Sequence, residues 1–348
     1  MNLGDLSQEQ RRELIQIYDD YDRLNRRLNE LGVETTLESA KRTMRRWKSS
    51  DGDGDTSLQV MPRKSPQTVS QSQFDSYIDD IRHTERYARI MHLADIHFPY
   101  QDDAALNLAY EVVRKVQPHV IVVGSDAFDF QYLSTFESDP DTMQYDDEIE
   151  LAASYWNPHI HALKDAAPQS RLIYIYGNHE RRLIRYLNRN APKMRRVVTN
   201  AYTSMIQCGG AVDYIGYTDR IWVANLLVQH GNTVQQYHAK AHLQDLAFQA
   251  HTMVGHVHRI DNYQVMGARY MAKAAGGGCL CELQPHYVKG TSMRKRWQQG
   301  TCIADLDLIS GGVDFHNLTF SRDGDYMQTR LGFQTIAVDA ANENRNAA

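Results

Sequence analysis

Two short stretches of the chain, Asp95-Ile96-His97 and Gly255-His256-Val257-His258, carry residues of the kind that bind metal ions. Carboxylate and imidazole are metal-ligand types, although one such pair at a strand end can equally be ordinary capping. Three more stretches lie between them: Gly124-Ser125-Asp126-Ala127-Phe128-Asp129, Gly177-Asn178-His179-Glu180 and His230-Gly231. Each of the five stands where an apolar run meets a loop, and glycine accompanies four of them. Any one alone is weak, but five in order at domain-scale spacing point to one shared centre.

The runs that must position these residues read as strands alternating with helices. Residues 89–93 predict a short buried strand, stopped by Asp95 and by Phe98-Pro99. In an extended segment residues i and i+2 point the same way, so Asp95 and His97 converge just past the strand, where open α/β sheets place ligands. A helix over 102–116 follows, then an apolar run at 119–123 that reads as a strand covered on both faces. A helix over 145–163, broken near Pro158, precedes a strand at 171–176 and a helix carrying Arg181, Arg182, Arg185 and Arg189. One strand over 221–229, a helix near 234–246 and a strand at 252–254 complete the set. Beyond this the chain reads as β-rich, clearest at 302–308 and 313–320. This alternation does not separate a doubly wound sheet from two packed sheets.

Composition excludes several classes. The chain has 348 residues, a net charge of −5 and a pI near 6.3, so any attraction to nucleic acid must be local. Cys208, Cys279, Cys281 and Cys302 lack CxxC spacing, which fits reduced thiols and a cytoplasmic setting. No signal pattern or membrane-length apolar run is visible, so no membrane partner is expected. Asp51, Asp53 and Asp55 imitate a calcium loop, but Thr56 and Pro62 stand where that loop needs glycine and glutamate. The 15 histidines are the unusual count.

Residues 1–48 predict a separate helical head. Ser7 caps a first helix with Gln10 three residues on, Gly32 ends a second, and a third runs to Trp47. Lys41, Arg42, Arg45 and Arg46 crowd the last turns of that third helix. The order resembles helix-turn-helix modules that bind DNA; a small oligomerisation hairpin with solvated charges would look similar. Residues 49–85 read as a flexible polar linker, 86–335 as the domain that carries the five motifs and 336–348 as a disordered tail.

Over residues 89–259 the five motifs resemble the calcineurin-like metallophosphoesterase superfamily, whose motifs run in this same order. Glu180-Arg181-Arg182, Asn188-Arg189-Asn190-Ala191-Pro192 and Trp297-Gln298-Gln299-Gly300 are also similar to phosphoesterases encoded by bacteriophages, which would place the protein in the host cytoplasm. The resemblance implies a four-layer α/β/β/α sandwich and two divalent metal ions. Asp95, His97 and His258 would hold the first ion, Asn178, His230 and His256 the second, and Asp126 would bridge them. Carboxylate, imidazole and amide oxygen together suit Mn²⁺, the leading expectation, or Fe or Zn²⁺. His179 would protonate the leaving alkoxide and Asp129 would orient it, while Glu180 reads as a first-turn helix acid. The family usually has glycine directly before the bridging aspartate, where Ser125 stands here, and a left-handed backbone there would be strained.

Protein phosphatases of the superfamily carry an arginine directly after the second aspartate, where Phe130 stands here. The motif is closer to the superfamily's DNA-repair nucleases. With the head and the basic run Arg181, Arg182 and Arg185, continued by Arg189, Lys193, Arg195 and Arg196, this makes DNA the expected partner and a metal-dependent nuclease the expected activity. A phosphomonoesterase of small substrates is the alternative, and a DNA-binding or assembly protein with a residual metal site the third reading. The same arginines could be a solvated helix face, and a homo-oligomer stays open.

Overall fold

The computed structural model describes residues 7, 10, 14, 27–33, 68–134, 145–267, 271–284 and 296–340. Contacts divide the chain into two compact units, Met1–Lys64 and Ser65–Ala348. In the first, Ser7 and Gln10 exchange the reciprocal bonds of a capping box, at 2.8 and 3.2 Å. Leu14, Leu28 and Val33 are buried. Gly32 turns the chain at a φ of 63°, and the Val33 amide closes onto the Leu28 carbonyl at 3.0 Å. The third helix with Lys41, Arg42, Arg45 and Arg46, and the run Asp51 to Asp55, lie outside the described residues.

The second unit is built on two sheets. One has six strands in the order β11-β10-β1-β2-β3-β4: β1 is Tyr87–His92, β2 Val120–Gly124, β3 Arg171–Ile175, β4 Val212–Tyr214, β10 Gly300–Asp307 and β11 Val313–Thr319. β1 to β4 run parallel, and β10 pairs antiparallel with both β1 and β11. The other has the order β5-β6-β7-β9-β8: β5 is Arg220–Val223, β6 Leu226–Gln229, β7 His251–Val254, β8 Ile260–Met266 and β9 Met271–Gly277.

Alternation along the parallel strands shows why both faces are covered. Val120 and Val122 of β2, with Ile173 and Ile175 of β3, meet Ile221, Val228 and Met253 of the second sheet. Ile121, Val123, Leu172 and Tyr174 point the other way, into helices. Those helices are α2 (Asp103–Val116) and α3 (Tyr145–Ala166), which bury Leu108, Val112, Trp156 and Ile160. On the far side α5 (His238–Asp245) packs Ala239 and Leu243 on Ala272 and Ala274. Helix, sheet, sheet, helix is the expected four-layer order. A three-stranded antiparallel sheet, β12 (Ser321–Asp323), β13 (Tyr326–Leu331) and β14 (Gln334–Asp339), sets Met327 and Ile336 against the α2–α3 layer.

Four expectations are corrected. Residues 70–85 are no linker: Ser70 caps α1 (Gln71–Thr84) in a box with Gln73, and Phe74, Ile78 and Ile81 enter the core between the sheets. That i, i+4, i+7 spacing makes one apolar stripe inside a Ser/Gln-rich composition. The predicted strand over 221–229 is a hairpin, β5 and β6, because Ala224 takes a φ of 50° at the turn. Pro158 sits inside a continuous α3. The tail begins later than 336, since β14 runs through Asp339 with Ile336 buried.

Candidate metal centre

β1 ends at His92, so Asp95 and His97 lie beyond the strand, each at a φ of 56°. They converge because the backbone is left-handed, not because a strand alternates. Their amides donate to the Ser125 and Asp126 carbonyls at 2.9 and 3.0 Å, which ties this loop to the one after β2. Ser125, Asp126, His256 and His258 also have positive φ, from 53° to 75°. Left-handed non-glycine residues cost about 1–2 kcal/mol each and persist only where neighbouring bonds over-determine them. At Ser125 the hydroxyl offsets part of that strain by pairing with His230 Nδ1 at 2.9 Å. Gly177 is required for space: a Cβ there would overlap the Asp126 carboxylate.

Two nests of donor atoms result. In one, His97 Nε2 and His258 Nε2 are 3.1 Å apart and Asp95 Oδ1 is 3.3 Å from the latter. In the other, His230 Nε2 is 2.8 Å from Asn178 Oδ1, 3.0 Å from His256 Nδ1 and 3.3 Å from Asp126 Oδ2. Asp126 belongs to both, grouping with Asp95 and His97 as well as with His230 and His256. All seven residues expected to hold metal are thus brought together, with His179 and Asp129 beside them.

The electrostatics fit cations. Burial, then the charges of Glu180 and Asp95, push the Asp126 carboxyl well above its ordinary range. Burial works against charge on Asp95 as well, yet His258, His230 and His97 hold its carboxyl low. Burial lowers His97 and His256 to about 4, and His230 well below its ordinary value, so these rings are neutral at neutral pH. His258 departs from this: burial works against its charge, but Asp95 beside it raises it. The lowered pair His230 and His256, whose ring nitrogens face each other at 3.0 Å, needs a proton or a cation between them.

A second ring of contacts aims these donors. His97 Nδ1 pairs with Asp129 Oδ1 at 2.6 Å, and His258 Nδ1 faces Cys281 Sγ at 3.9 Å. Trp297 lies edge-on to the His258 ring at 4.1 Å between centroids. Asp129 therefore has two duties, because His179 Nδ1 is also 3.1 Å from its Oδ1 and 2.8 Å from its backbone carbonyl. Burial opposes the charge on Asp129, but His179 and His97 hold its carboxyl below the usual range.

Glu180 exceeds its expected role. It is the first residue of α4 (Glu180–Asn190) and fully buried, and its carboxylate accepts the amides of Ala127 at 2.6 Å, Gly177 at 2.7 Å, and Asp126 and Phe128 at 3.2 Å. Tyr174 Oη donates to it at 3.2 Å. It fastens the loop after β2 to the loop after β3. Its place in Gly-Asn-His-Glu marked it, but three of its partners, Asp126, Ala127 and Phe128, lie some fifty residues away in sequence. Cys281 carried no such signal.

The arginines of α4 divide. Arg181 pairs with Asp219 at 2.9 Å. Arg182 donates to the Asp129 and Phe130 carbonyls at 3.0 and 3.3 Å and to His179 Nε2 at 3.0 Å. Arg185 lines a groove that opens beside Asn178.

Residues 88–284, more than half of the chain, match the family model described as calcineurin-like phosphoesterase. No curated protein matches the sequence. Among solved structures, Vps29 of Chaetomium thermophilum is similar at 10% identity and a TM-score of 0.36, covering 75% of this chain and 100% of that one. Vps29 of Entamoeba histolytica, complexed with Zn²⁺, is similar at 9% identity and a TM-score of 0.32, covering 72% of this chain and 99% of that one. The matched span contains every residue of both donor nests, and the chain belongs to the calcineurin-like phosphoesterases, a family of phosphoester hydrolases that typically use two metal ions.

Proposed function

We propose that the chain is a phosphodiesterase acting on nucleic acid, with two divalent ions, Mn²⁺ first among them, held by Asp95, His97 and His258 and by Asn178, His230 and His256, and shared by Asp126. The observation that carries this reading is the pair of donor nests joined through Asp126, with His179 on their rim. Bound there, two ions would supply Lewis acidity and a hydroxide nucleophile at neutral pH.

The chain's own residues do the rest. Asp129 fixes His179 through Nδ1, so Nε2 faces the centre, 3.7 Å from Asp126 Oδ2. Once substrate draws the Arg182 guanidinium away, the protonated ring, held through Nδ1 by Asp129, can hand its Nε2 proton to the departing oxygen. Arg182 shares the same Nε2, and an incoming phosphoryl oxygen competes for that guanidinium, whose fork suits phosphate. Ser125 and Asp129 hold His230 and His97 with their other ring nitrogens turned inward. Lys41, Arg42, Arg45 and Arg46 of the head would add phosphate contacts on DNA.

Metal-free protein reloaded with Mn²⁺ and offered bis(4-nitrophenyl) phosphate, 4-nitrophenyl phosphate and linear DNA tests the proposal. Cleavage of the bis-ester and of DNA is expected. Turnover of the mono-ester alone would replace it with the phosphomonoesterase reading. Exchanging the four basic residues of the head for alanine should flatten the salt dependence of DNA binding.

A further inference from the structure

Arg182, Arg185, Tyr186 and Arg189 stand at i, i+3, i+4 and i+7 of α4, hence on one face, opposite the buried Leu183 and Leu187. That face walls a groove of about 320 Å³ that starts at Asn178 and has Tyr132, from the 3-10 turn Gln131–Leu133, along its lining. Tyr132 and Tyr186 are each about half exposed, at 49% and 47%. Among the described residues Arg185 and Arg189 have no acidic partner, whereas Arg181 on the neighbouring face is paired with Asp219. Two aromatic rings and two uncommitted guanidinium groups therefore border one cleft that ends at a residue of the second donor nest.

Resting on the phosphodiesterase reading, we infer that this groove is a subsite for one nucleotide of a single-stranded nucleic acid, adjoining the scissile phosphate. Aromatic faces offer sequence-tolerant stacking to an unpaired base, and arginines beside them track the flanking phosphates. A base inside a duplex is already stacked and paired, so the tyrosines reach it only after unpairing. The substrate class is thus a single strand, or the frayed end of a duplex. Tyr132 and Tyr186 select for the base, and Arg185 and Arg189 for charge alone.

The full-length, metal-free protein is titrated by fluorescence anisotropy with a labelled single strand, its abasic counterpart and the matching duplex, and Mn²⁺-loaded turnover is measured on the same three. The wild type should bind the base-bearing strand roughly 10- to 100-fold more tightly than the abasic strand. Tyr132→Ala with Tyr186→Ala should erase that ratio, and the Tyr→Phe pair should restore it. Arg185→Ala with Arg189→Ala should weaken both strands alike and lower the salt slope. A wild-type ratio near one, a ratio unmoved by the alanine pair, or a preference for duplex would overturn the subsite. Base-dependent binding without cleavage of any diester would refute the phosphodiesterase reading and leave the groove standing. Cleavage of DNA with a ratio near one would do the reverse.

Discussion

The two donor nests are made of similar residues in different surroundings. Asp95, His97 and His258 are all buried, backed by Asp129, Cys281 and Trp297. In the other nest His230 is buried too, but Asn178 and His256 are only partly covered, as is His179 beside them. A deep nest loses its ligands to the fold if they are removed, whereas an open one can exchange its occupant with solvent and meet a substrate. The difference places the approach side of the centre at Asn178, where the arginine-lined groove begins.

The most severe test of this contrast removes the residue common to both nests. Asp126→Asn should abolish metal occupancy on both sides, with a loss of turnover beyond the roughly 10- to 100-fold expected when only an outer partner of a ligand is lost. Metal analysis of the purified variant checks the first part. His179→Gln should slow turnover by about 10²- to 10⁴-fold with both ions retained. Equal metal loss in these two variants would remove the distinct role given to His179.

The nests themselves separate next. Asn178→Ala should keep one ion and leave thermal unfolding nearly unchanged. His97→Ala leaves Asp129 without one of its partners in a buried setting and should cost about 1–3 kcal/mol as well as an ion. If the two variants are equally stable, the depth contrast has no energetic meaning. Away from both nests, Ile78→Ala should destabilise the fold by about 2–5 kcal/mol without changing metal content, measured by denaturant unfolding. Destabilisation below a few tenths would mean that α1 is an attachment rather than part of the core.

A last test concerns the pH dependence of stability, in the helical layer away from both nests. Burial lowers His159 to about 3, and its Nδ1 sits 2.8 Å from Tyr110 Oη. A histidine with a depressed folded pKa contributes stability that is fully present above its ordinary value of 6.5 and is lost as pH falls toward 3. His159→Gln should therefore flatten the acid limb of the stability curve in that window. An unchanged slope would show that His159 does not carry it.

How much of this was legible in the sequence follows from the range of the interactions. The five motif stretches could be read because each joins an apolar run to metal-ligand residues within a few positions. The positions along the chain of the strands that precede them followed for the same reason. The hydroxyl of Ser125, the second duty of Asp129 and the contact of Cys281 could not be read, since each partner arrives from a distant loop. α1 was hidden differently: Phe74, Ile78 and Ile81 have helical spacing, but Ser and Gln around them carry the composition of a linker. The turn at Ala224 lacks the glycine that announces most left-handed turns.

Glu180 has one more consequence. Its carboxylate closes the loops after β2 and β3 onto each other through four backbone amides, none of which involves an ion. The cage is rigid on its own account, unlike small zinc domains whose folding and loading are one event. Chelation should then strip the ions without melting the protein, lowering its midpoint only by the mass-action contribution of the lost ligand. Loading becomes an exchange reaction on a standing scaffold, so the identity of the resident ion follows the supply around the protein rather than the order in which it folds.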